Sequence, residues 1–179
     1  MIPVYIGLGS NLCEPIRQLR DAIVALDQLS ASRLVQVSSA YRSAAVGPGE
    51  QPDYLNAVAL LDTALEPQAL LEALQGIEQA QGRERKVRWG ARSLDLDILL
   101  YGDSIVSTGS LTIPHPEMRR RNFVLYPLAE ISGLNLILPD GTELATLLSQ
   151  CPRGNLANTG LRLTHRDAHA PPGRGLTRR

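Results

Sequence analysis

The 179-residue chain lacks the features that mark membrane, secreted and disulfide-linked proteins. No apolar run approaches the roughly 20 residues that a membrane-spanning helix needs. The N-terminus has neither the basic start nor the small-residue cleavage site of a secretory signal. Its two cysteines, Cys13 and Cys151, lie far apart and in no metal-binding spacing. We therefore expect a cytoplasmic protein with two free thiols and no membrane association.

The chain also lacks net charge, but its charges are unevenly divided. Residues 1–150 carry 12 Lys and Arg against 17 Asp and Glu, a net charge of −5. Residues 151–179 carry six Arg against one Asp, a net charge of +5, and are rich in Pro and Gly. Such a composition cannot bury much apolar surface. We expect one domain over residues 1–151 and a disordered tail over residues 152–179.

The apolar periodicity predicts an α+β domain. Strands are expected at 4–8, 35–42, 54–63 and 93–101, and helices begin at Pro15 and Pro67. A helical turn over 119–121, a mixed apolar segment over 122–131 and a helix over 142–150 follow. The order β-α-β-β-α-β is that of the ferredoxin-like arrangement, an antiparallel sheet with helices packed on one face.

The segment RSLDLDILLYG, residues 92–102, places two carboxylates in an apolar strand. Successive strand residues point to opposite faces, so Asp95 and Asp97 share one face while Leu94, Leu96 and Ile98 share the other. Two carboxylates held side by side repel each other unless a cation lies between them or one keeps its proton. The strand pattern alone leaves both possibilities open.

The loop before this strand, GRERKVRWGAR, concentrates positive charge. Arg83, Arg85, Lys86, Arg88 and Arg92 stand against a single acid. Guanidinium groups suit phosphate oxygens, and Mg²⁺ binds one or two carboxylates together with substrate phosphates. The combination favours a magnesium–nucleotide site, and a structural cluster of salt bridges is the alternative.

The glycine patterns exclude the common phosphate-binding loops. The chain has no GxxxxGK[ST], and GLGSN after the first strand is not GxGxxG. A nucleotide would therefore be held by side chains and metal. Flanking glycines at 82 and 90 would let the basic loop close over a phosphoryl-transfer site.

Six motifs carry a family resemblance: YIGLGSNL, GPGEQPDYLNAV, IEQAQGRER, RWGARSLDLDILLYG, LTIPHPEM and RNFVLYPLAEI. Together they resemble the 6-hydroxymethyl-7,8-dihydropterin pyrophosphokinases of folate biosynthesis, in order over about residues 3–150. The resemblance implies transfer of pyrophosphate from ATP to a dihydropterin by a monomer, with ATP as co-substrate and two Mg²⁺ ions. It also implies that Asp95 and Asp97 hold both ions.

The resemblance assigns the remaining phosphate-side residues. Arg83 and Arg92 are implied to act in transfer, and Arg85 and Arg88 to contact phosphate or help the loop to close. The nucleotide-side positions are Gln75, Glu78, Ile98, Thr112, His115 and Arg121.

The family stacks its flat pterin between aromatic rings and reads the ring edge with an amide. Tyr54 and Phe123 match the stacking positions and Asn56 the amide position, with Trp89 expected to cap the ring. The adjacent backbone positions are Ser43, Ala44, Ala45 and Val46. Many members carry Thr-Pro-Pro where this chain has Ser43-Ala44-Ala45, which removes proline stiffness from that loop.

A rival hypothesis is a ferredoxin-like module that binds RNA or nucleotides through the arginine loop. An RNA-binding sheet of this kind displays paired aromatics, but aromatics make up only 4% of this chain. Backbone binding also calls for a broad basic surface, whereas residues 1–150 are net acidic. We therefore expect small-molecule substrates and no nucleic-acid partner. A catalytically inactive relative is the third possibility.

Overall fold

The computed structural model describes residues 1–12, 14–45, 49–82 and 94–163. Within these ranges the chain forms eight strands and four α-helices. A short 3-10 helix, Met118–Arg120, precedes the third α-helix. The elements in chain order are β1 (Ile2–Ser10), α1 (Pro15–Asp27), β2 (Ser32–Val37), β3 (Ser39–Ser43), β4 (Tyr54–Thr63), α2 (Pro67–Ala80), β5 (Asp95–Tyr101), β6 (Val106–Ser107), β7 (Thr112–Ile113), α3 (Asn122–Ser132), α4 (Leu144–Gln150) and β8 (Ala157–Arg162).

Six strands form one antiparallel sheet with β1 between β5 and β4. Both β2 and β3 pair with β4, and β8 adds to the outer side of β3. The predicted strand over 35–42 is therefore two strands separated at Ser38. The Ser38 hydroxyl accepts a hydrogen bond from the Val58 amide of β4 at 2.9 Å. A side chain thus provides the acceptor at the residue that separates β2 from β3. The strand over 54–63 is confirmed with its predicted bounds.

Two apolar layers enclose this sheet. In β4, Ala57 and Ala59 face the layer that contains α1 and α2, and Val58 faces the layer that contains α3 and α4. Both faces of the strand are buried, so each needs its own cover of helices. The expectation of helices on one face was therefore wrong. The helical residues of the two layers include Leu19, Leu26, Leu70 and Leu74 on one side, and Leu125, Leu128, Leu144 and Leu147 on the other.

Residues 122–131 were predicted only as a mixed apolar segment, and the structure shows helix α3 there with Pro127 in its interior. Proline removes a backbone donor and disfavours helix interiors, so its place in this helix has a cost. Burial of Val124, Leu125 and Leu128 against the sheet outweighs this cost. The helix begins at Asn122 and thereby places Phe123 at the sheet surface.

The beginning of the expected tail is part of the sheet. Residues 157–162 form β8, which pairs antiparallel with β3, and Leu163 is buried in the α1–α2 layer. The expectation of disorder from residue 152 was therefore wrong for this segment. Its exposed side chains give little apolar signal, and backbone pairing supplies the contact. Residues 164–179 lie outside the described residues.

Glu130 of α3 is hydrogen-bonded to β3 and links the helix to that strand. Its carboxylate accepts hydrogen bonds from the Ser39 amide and hydroxyl, both at 2.8 Å, and from the Tyr41 hydroxyl at 2.6 Å. Burial, followed by this carboxylate, raises the pKa of Tyr41 to about 12. These bonds fix the distance between β3, which ends at Ser43, and α3, which carries Phe123 near its start. Both residues are predicted to contact the pterin.

No helix in the described ranges has the length and apolar character needed to cross a membrane. Cys151 is a free, buried thiol, and its burial raises its pKa. Cys13 lies outside the described residues.

Candidate active site

Strand β5 shows the predicted alternation of side chains. Leu94, Leu96 and Ile98 are buried in the α1–α2 layer. Asp95 and Asp97 project from the opposite face, where both line a cavity of about 260 Å³. The two carboxylates therefore stand side by side and are accessible to a ligand.

The walls of this cavity, which we call the sheet cavity, come from several elements. Ser43 and Ala44 at the end of β3 and Tyr54 at the start of β4 form one wall. Arg121 and Phe123 at the start of α3 form the opposite wall. Ala45 is described but is not among the lining residues, and Val46 lies outside the described residues.

Two glycines of β1 form the floor of the sheet cavity. Gly7 pairs with Asp97 and Gly9 pairs with Asp95 across the two strands. Because glycine has no side chain, the Leu99 side chain packs over Gly7, and the surface at Gly9, beside Asp95, stays open. From the sequence, GLGSN was excluded as a dinucleotide loop and counted within the family motif YIGLGSNL, but its glycines were given no role. The signal was available, since glycines spaced two apart in a strand share a face, as the two aspartates do.

We expect Gly9→Val to weaken binding of the dihydropterin that the family resemblance implies, while the protein stays folded. A Cβ at residue 9 would lie 3.4 Å from Asn56 Oδ1, and the two further methyl groups would enter the cavity. Extra methyl groups in a filled site cost about 1–3 kcal/mol. Calorimetric titration with the dihydropterin measures this loss. Gly9→Ala adds only a carbon at ordinary contact distance and should bind nearly normally; equal losses in both variants would contradict the assigned floor.

Asn56 is a buried amide on the cavity face of β4, with 5% of its surface exposed. Its Nδ2 donates a hydrogen bond to Ser43 Oγ at 2.8 Å, and it lines the cavity between the floor and the β3 wall. The bond fixes the amide plane and thus the direction of its polar atoms. A fixed amide in a mostly apolar cavity suits the polar edge of a flat heterocycle.

Phe123 and Arg121 form the wall that α3 contributes. The Arg121 guanidinium carbon lies 5.7 Å from the centre of the Phe123 ring, within cation–π range. The ring therefore faces the cavity beside a positive charge. This arrangement can hold a flat ring next to an anionic group.

A second cavity, of about 300 Å³, lies on the other side of the β5 edge. It is lined by Ile98, by Thr112 of β7 and by His115 and Pro116. Asp97 lines both cavities, whereas Asp95 lines only the sheet cavity. Asp97 is therefore the residue that the two cavities share.

His115 is held against β5 by its own backbone. Its amide donates to the Leu99 carbonyl at 3.0 Å, and its Nδ1 accepts a hydrogen bond from the Glu117 amide at 3.2 Å. Its Nε2 lies 3.9 Å from Asp97 Oδ2. Burial, together with Arg121, lowers the pKa of His115, while Asp97 and Glu117 oppose this shift.

The remaining predicted residues are placed differently or lie outside the described ranges. Gln75 is exposed on α2, and Glu78 is buried beneath β5; neither lines either cavity. The predicted phosphate, transfer and capping residues of the basic loop all lie outside the described residues: Arg83, Arg85, Arg88, Trp89 and Arg92.

Comparison with known proteins decides the family. The family model described as 7,8-dihydro-6-hydroxymethylpterin-pyrophosphokinase (HPPK) matches residues 5–133. The chain belongs to the HPPK family. It is 52% identical over 150 residues to the 2-amino-4-hydroxy-6-hydroxymethyldihydropteridine pyrophosphokinase of Haemophilus influenzae, covering 84% of this chain and 93% of that protein. The Pseudomonas aeruginosa protein of the same name is 52% identical over 149 residues, covering 83% and 91%.

The fold agrees with solved structures of longer HPPK proteins. The crystal structure of Plasmodium falciparum HPPK-DHPS matches with a TM-score of 0.63 at 10% identity. The match covers 83% of this chain and 44% of that one. At this identity the likeness concerns the fold alone.

The donor set at the HPPK sheet cavity fits magnesium. Within the described ranges, no group of three or more His, Cys, Asp or Glu could enclose a metal ion. Magnesium does not need such an enclosure, because it retains waters and is bound by one or two carboxylates and substrate phosphates. Asp95 and Asp97, which both line the sheet cavity, meet that requirement.

Proposed function

We propose that this HPPK-family chain transfers the pyrophosphoryl group of ATP to the hydroxymethyl oxygen of 6-hydroxymethyl-7,8-dihydropterin, giving AMP and the pterin pyrophosphate. The single observation that carries the proposal is that Asp97 lines both cavities. One cavity suits a flat ring with a polar edge, and the other suits a nucleotide. A transfer reaction needs its two substrates to meet at one charged point, and Asp97 stands there.

The pterin binds in the sheet cavity. The rings of Tyr54 and Phe123 lie on the walls available for stacking, and the Asn56 amide reads the ring edge. Ser43 supports this amide through its hydroxyl. Backbone groups of residues 43–46 complete the edge contacts, and Trp89 caps the ring when the basic loop closes.

ATP binds in the second cavity. Ile98 and Thr112 line the side for adenine and ribose, and His115 stands beside Asp97 where the phosphates arrive. Arg121 lines the sheet cavity and reaches the phosphates from the pterin side. Gln75 is exposed on α2, and its proposed role is a peripheral contact to the nucleotide.

Asp95 and Asp97 would hold two Mg²⁺ ions, which supply charge neutralisation of the ATP phosphates and a template for alignment. The absence of a side chain at Gly9 leaves room for ligands beside Asp95. The arginines of the basic loop act on the same phosphates, Arg83 and Arg92 in transfer and Arg85 and Arg88 in binding and loop closure.

The reaction requires the hydroxymethyl oxygen to approach the β-phosphorus in line with the α–β bridging oxygen. A bond forms from the hydroxyl oxygen to the β-phosphorus, the bond from that phosphorus to the bridging oxygen breaks with its electron pair going to AMP, and the hydroxyl proton is released to solvent. Tyr54, Asn56 and Phe123 hold the pterin in one orientation, so its hydroxymethyl group points toward Asp97. Arginine charges neutralise the negative charge that develops on departing AMP.

The proposal also includes a ferredoxin-like topology, a monomeric state and a cytoplasmic location. The strand order β5–β1–β4, with β2 and β3 beyond β4 and every pair antiparallel, supports a ferredoxin-like topology with α3 and α4 added on the second face of the sheet. The monomeric state and the cytoplasmic location stay predictions. Light scattering of the purified chain would measure the first.

Product analysis tests the proposed reaction. The chain is incubated with ATP and Mg²⁺, with and without the dihydropterin, and nucleotides and pterins are separated by chromatography with mass detection. We expect equal amounts of AMP and pterin pyrophosphate, and AMP only when the pterin is present. Formation of ADP, or of AMP without pterin, would overturn the proposal. A chain ending at residue 163 keeps β8 and should give the same products.

A further inference from the structure

Glu78 is the only buried carboxylate in the part of the chain that the structure describes, with 7% of its surface exposed. It lies near the end of α2, and burying a carboxylate is costly unless it is hydrogen-bonded. Its Oε1 accepts a hydrogen bond from the backbone amide of Leu96 at 2.8 Å. The carboxylate is thus directed at the backbone of β5.

This contact supplies a partner that the sheet does not provide. Among the described strands, β5 is at the edge of the sheet, so amides on its outer side have no neighbouring strand there to bond. The Leu96 amide is buried with its residue and needs an acceptor. Glu78 provides that acceptor from the helix packed beside the edge.

Leu96 lies between the two carboxylates of the sheet cavity. Its side chain is buried against the α1–α2 layer, and its amide is held by Glu78, so the backbone between Asp95 and Asp97 is fixed from two directions. Fixing that backbone fixes the spacing and direction of both carboxylates. Groups that orient metal ligands in this way strongly affect metal binding.

We propose that Glu78 is a positioning residue for the metal-binding pair, acting through the Leu96 amide and not as a nucleotide contact. The inference rests on the proposed function, in which Asp95 and Asp97 hold magnesium. The family resemblance had instead implied a nucleotide-side position for Glu78. The placement supports it, because Glu78 lines neither cavity.

The first test uses the metal-free protein and needs no activity. Hydrogen exchange of the Leu96 amide is measured by NMR in the unchanged chain, in Glu78→Gln and in Glu78→Met. Glutamine keeps an acceptor oxygen, whereas methionine keeps the length and apolar stem without one. We expect faster exchange at Leu96 in Glu78→Met and near-normal exchange in Glu78→Gln. Glu72→Leu removes an exposed carboxylate from the same helix and is the matched control. Unchanged exchange in Glu78→Met would overturn the contact.

The second test separates positioning from nucleotide contact. Binding of α,β-methylene ATP is titrated with Mg²⁺ and, separately, with EDTA. We expect Glu78→Met to weaken binding about 10- to 100-fold with Mg²⁺ and to leave binding in EDTA unchanged. Glu78→Gln should recover most of the loss. Equal weakening in both media would make Glu78 a nucleotide contact, and no weakening in either would remove it from the site.

The two tests keep this inference separate from the proposed function. If the unchanged chain binds the nucleotide equally well with Mg²⁺ and with EDTA, the metal assignment fails, and the positioning proposal fails with it. Amide exchange still reports whether Glu78 holds β5. Thermal melts establish that each variant is folded; if Glu78→Met is not, Glu78→Leu takes its place.

Discussion

Replacing Asp97 with alanine should reduce turnover by at least about 10²- to 10³-fold, the loss seen when one charge-stabilising group leaves an active site. Asp97 lines both cavities, and in the proposed function its carboxylate stands where pterin and nucleotide meet. Asp95→Ala should cause a loss of similar size, because both carboxylates face the same space. Steady-state kinetics with saturating ATP, Mg²⁺ and dihydropterin measures the effect.

The fold should survive these changes, since both side chains project away from the apolar layer that buries Leu94, Leu96 and Ile98. Asp103→Ala provides a matched control, because Asp103 is exposed in the turn after β5. It should show normal turnover and a normal melting temperature. Near-normal activity of either Asp95→Ala or Asp97→Ala would show that the carboxylate pair does not serve the metal.

Replacing Asn56 with leucine should reduce kcat/KM for the dihydropterin by about 10²-fold, because polar edge groups left unpaired cost about 1–3 kcal/mol each. Leucine preserves the approximate volume of the side chain and removes its amide. The KM for ATP should stay close to normal, since Asn56 lines only the sheet cavity. Kinetics with each substrate varied in turn measures both effects.

Ser43→Ala separates the amide from its support. This variant keeps the Asn56 amide and removes the hydroxyl that accepts its Nδ2 hydrogen bond at 2.8 Å. It should cost less than Asn56→Leu, because the amide can still reach the pterin edge with a less fixed orientation. Equal losses of kcat/KM in Ser43→Ala and Asn56→Leu would place pterin recognition in the Ser43 hydroxyl. A large rise in the KM for ATP in Asn56→Leu would place Asn56 on the nucleotide side.

The arrangement of helices bears on the rival hypothesis of an RNA-binding sheet. Such modules stack bases on an open sheet face. In this chain α1 and α2 cover one face, and α3 and α4 pack on the other through Val58 and Leu99. Beside α3 the uncovered part of that face is the sheet cavity, about 260 Å³, which suits a small molecule.

The strand alternation at Asp95 and Asp97 was predictable because it depends on local geometry alone. Side chains two apart on a strand share a face whatever the rest of the fold does. The family motifs led to Asn56, Phe123 and Arg121, which the fold brings to one cavity from β4 and α3. Their convergence depends on tertiary packing, which no periodicity encodes.

The features that sequence reasoning missed depend on contacts between distant segments. Helix α3 contains Pro127 and is stabilised by burial against the sheet, and β8 is a polar strand held by backbone pairing to β3. The contact between Glu78 and the Leu96 amide requires α2 to pack at the edge of the sheet. The spacing of residues along the chain does not indicate such a contact.

The most direct measurement is a crystal structure of the chain with α,β-methylene ATP, Mg²⁺ and 6-hydroxymethyl-7,8-dihydropterin. We predict magnesium bonded to carboxylate oxygens of Asp95 and Asp97. The pterin should lie between Tyr54 and Phe123, with its hydroxymethyl group facing the β-phosphate of the nucleotide. Magnesium bound away from the carboxylate pair, or a pterin outside the sheet cavity, would contradict it.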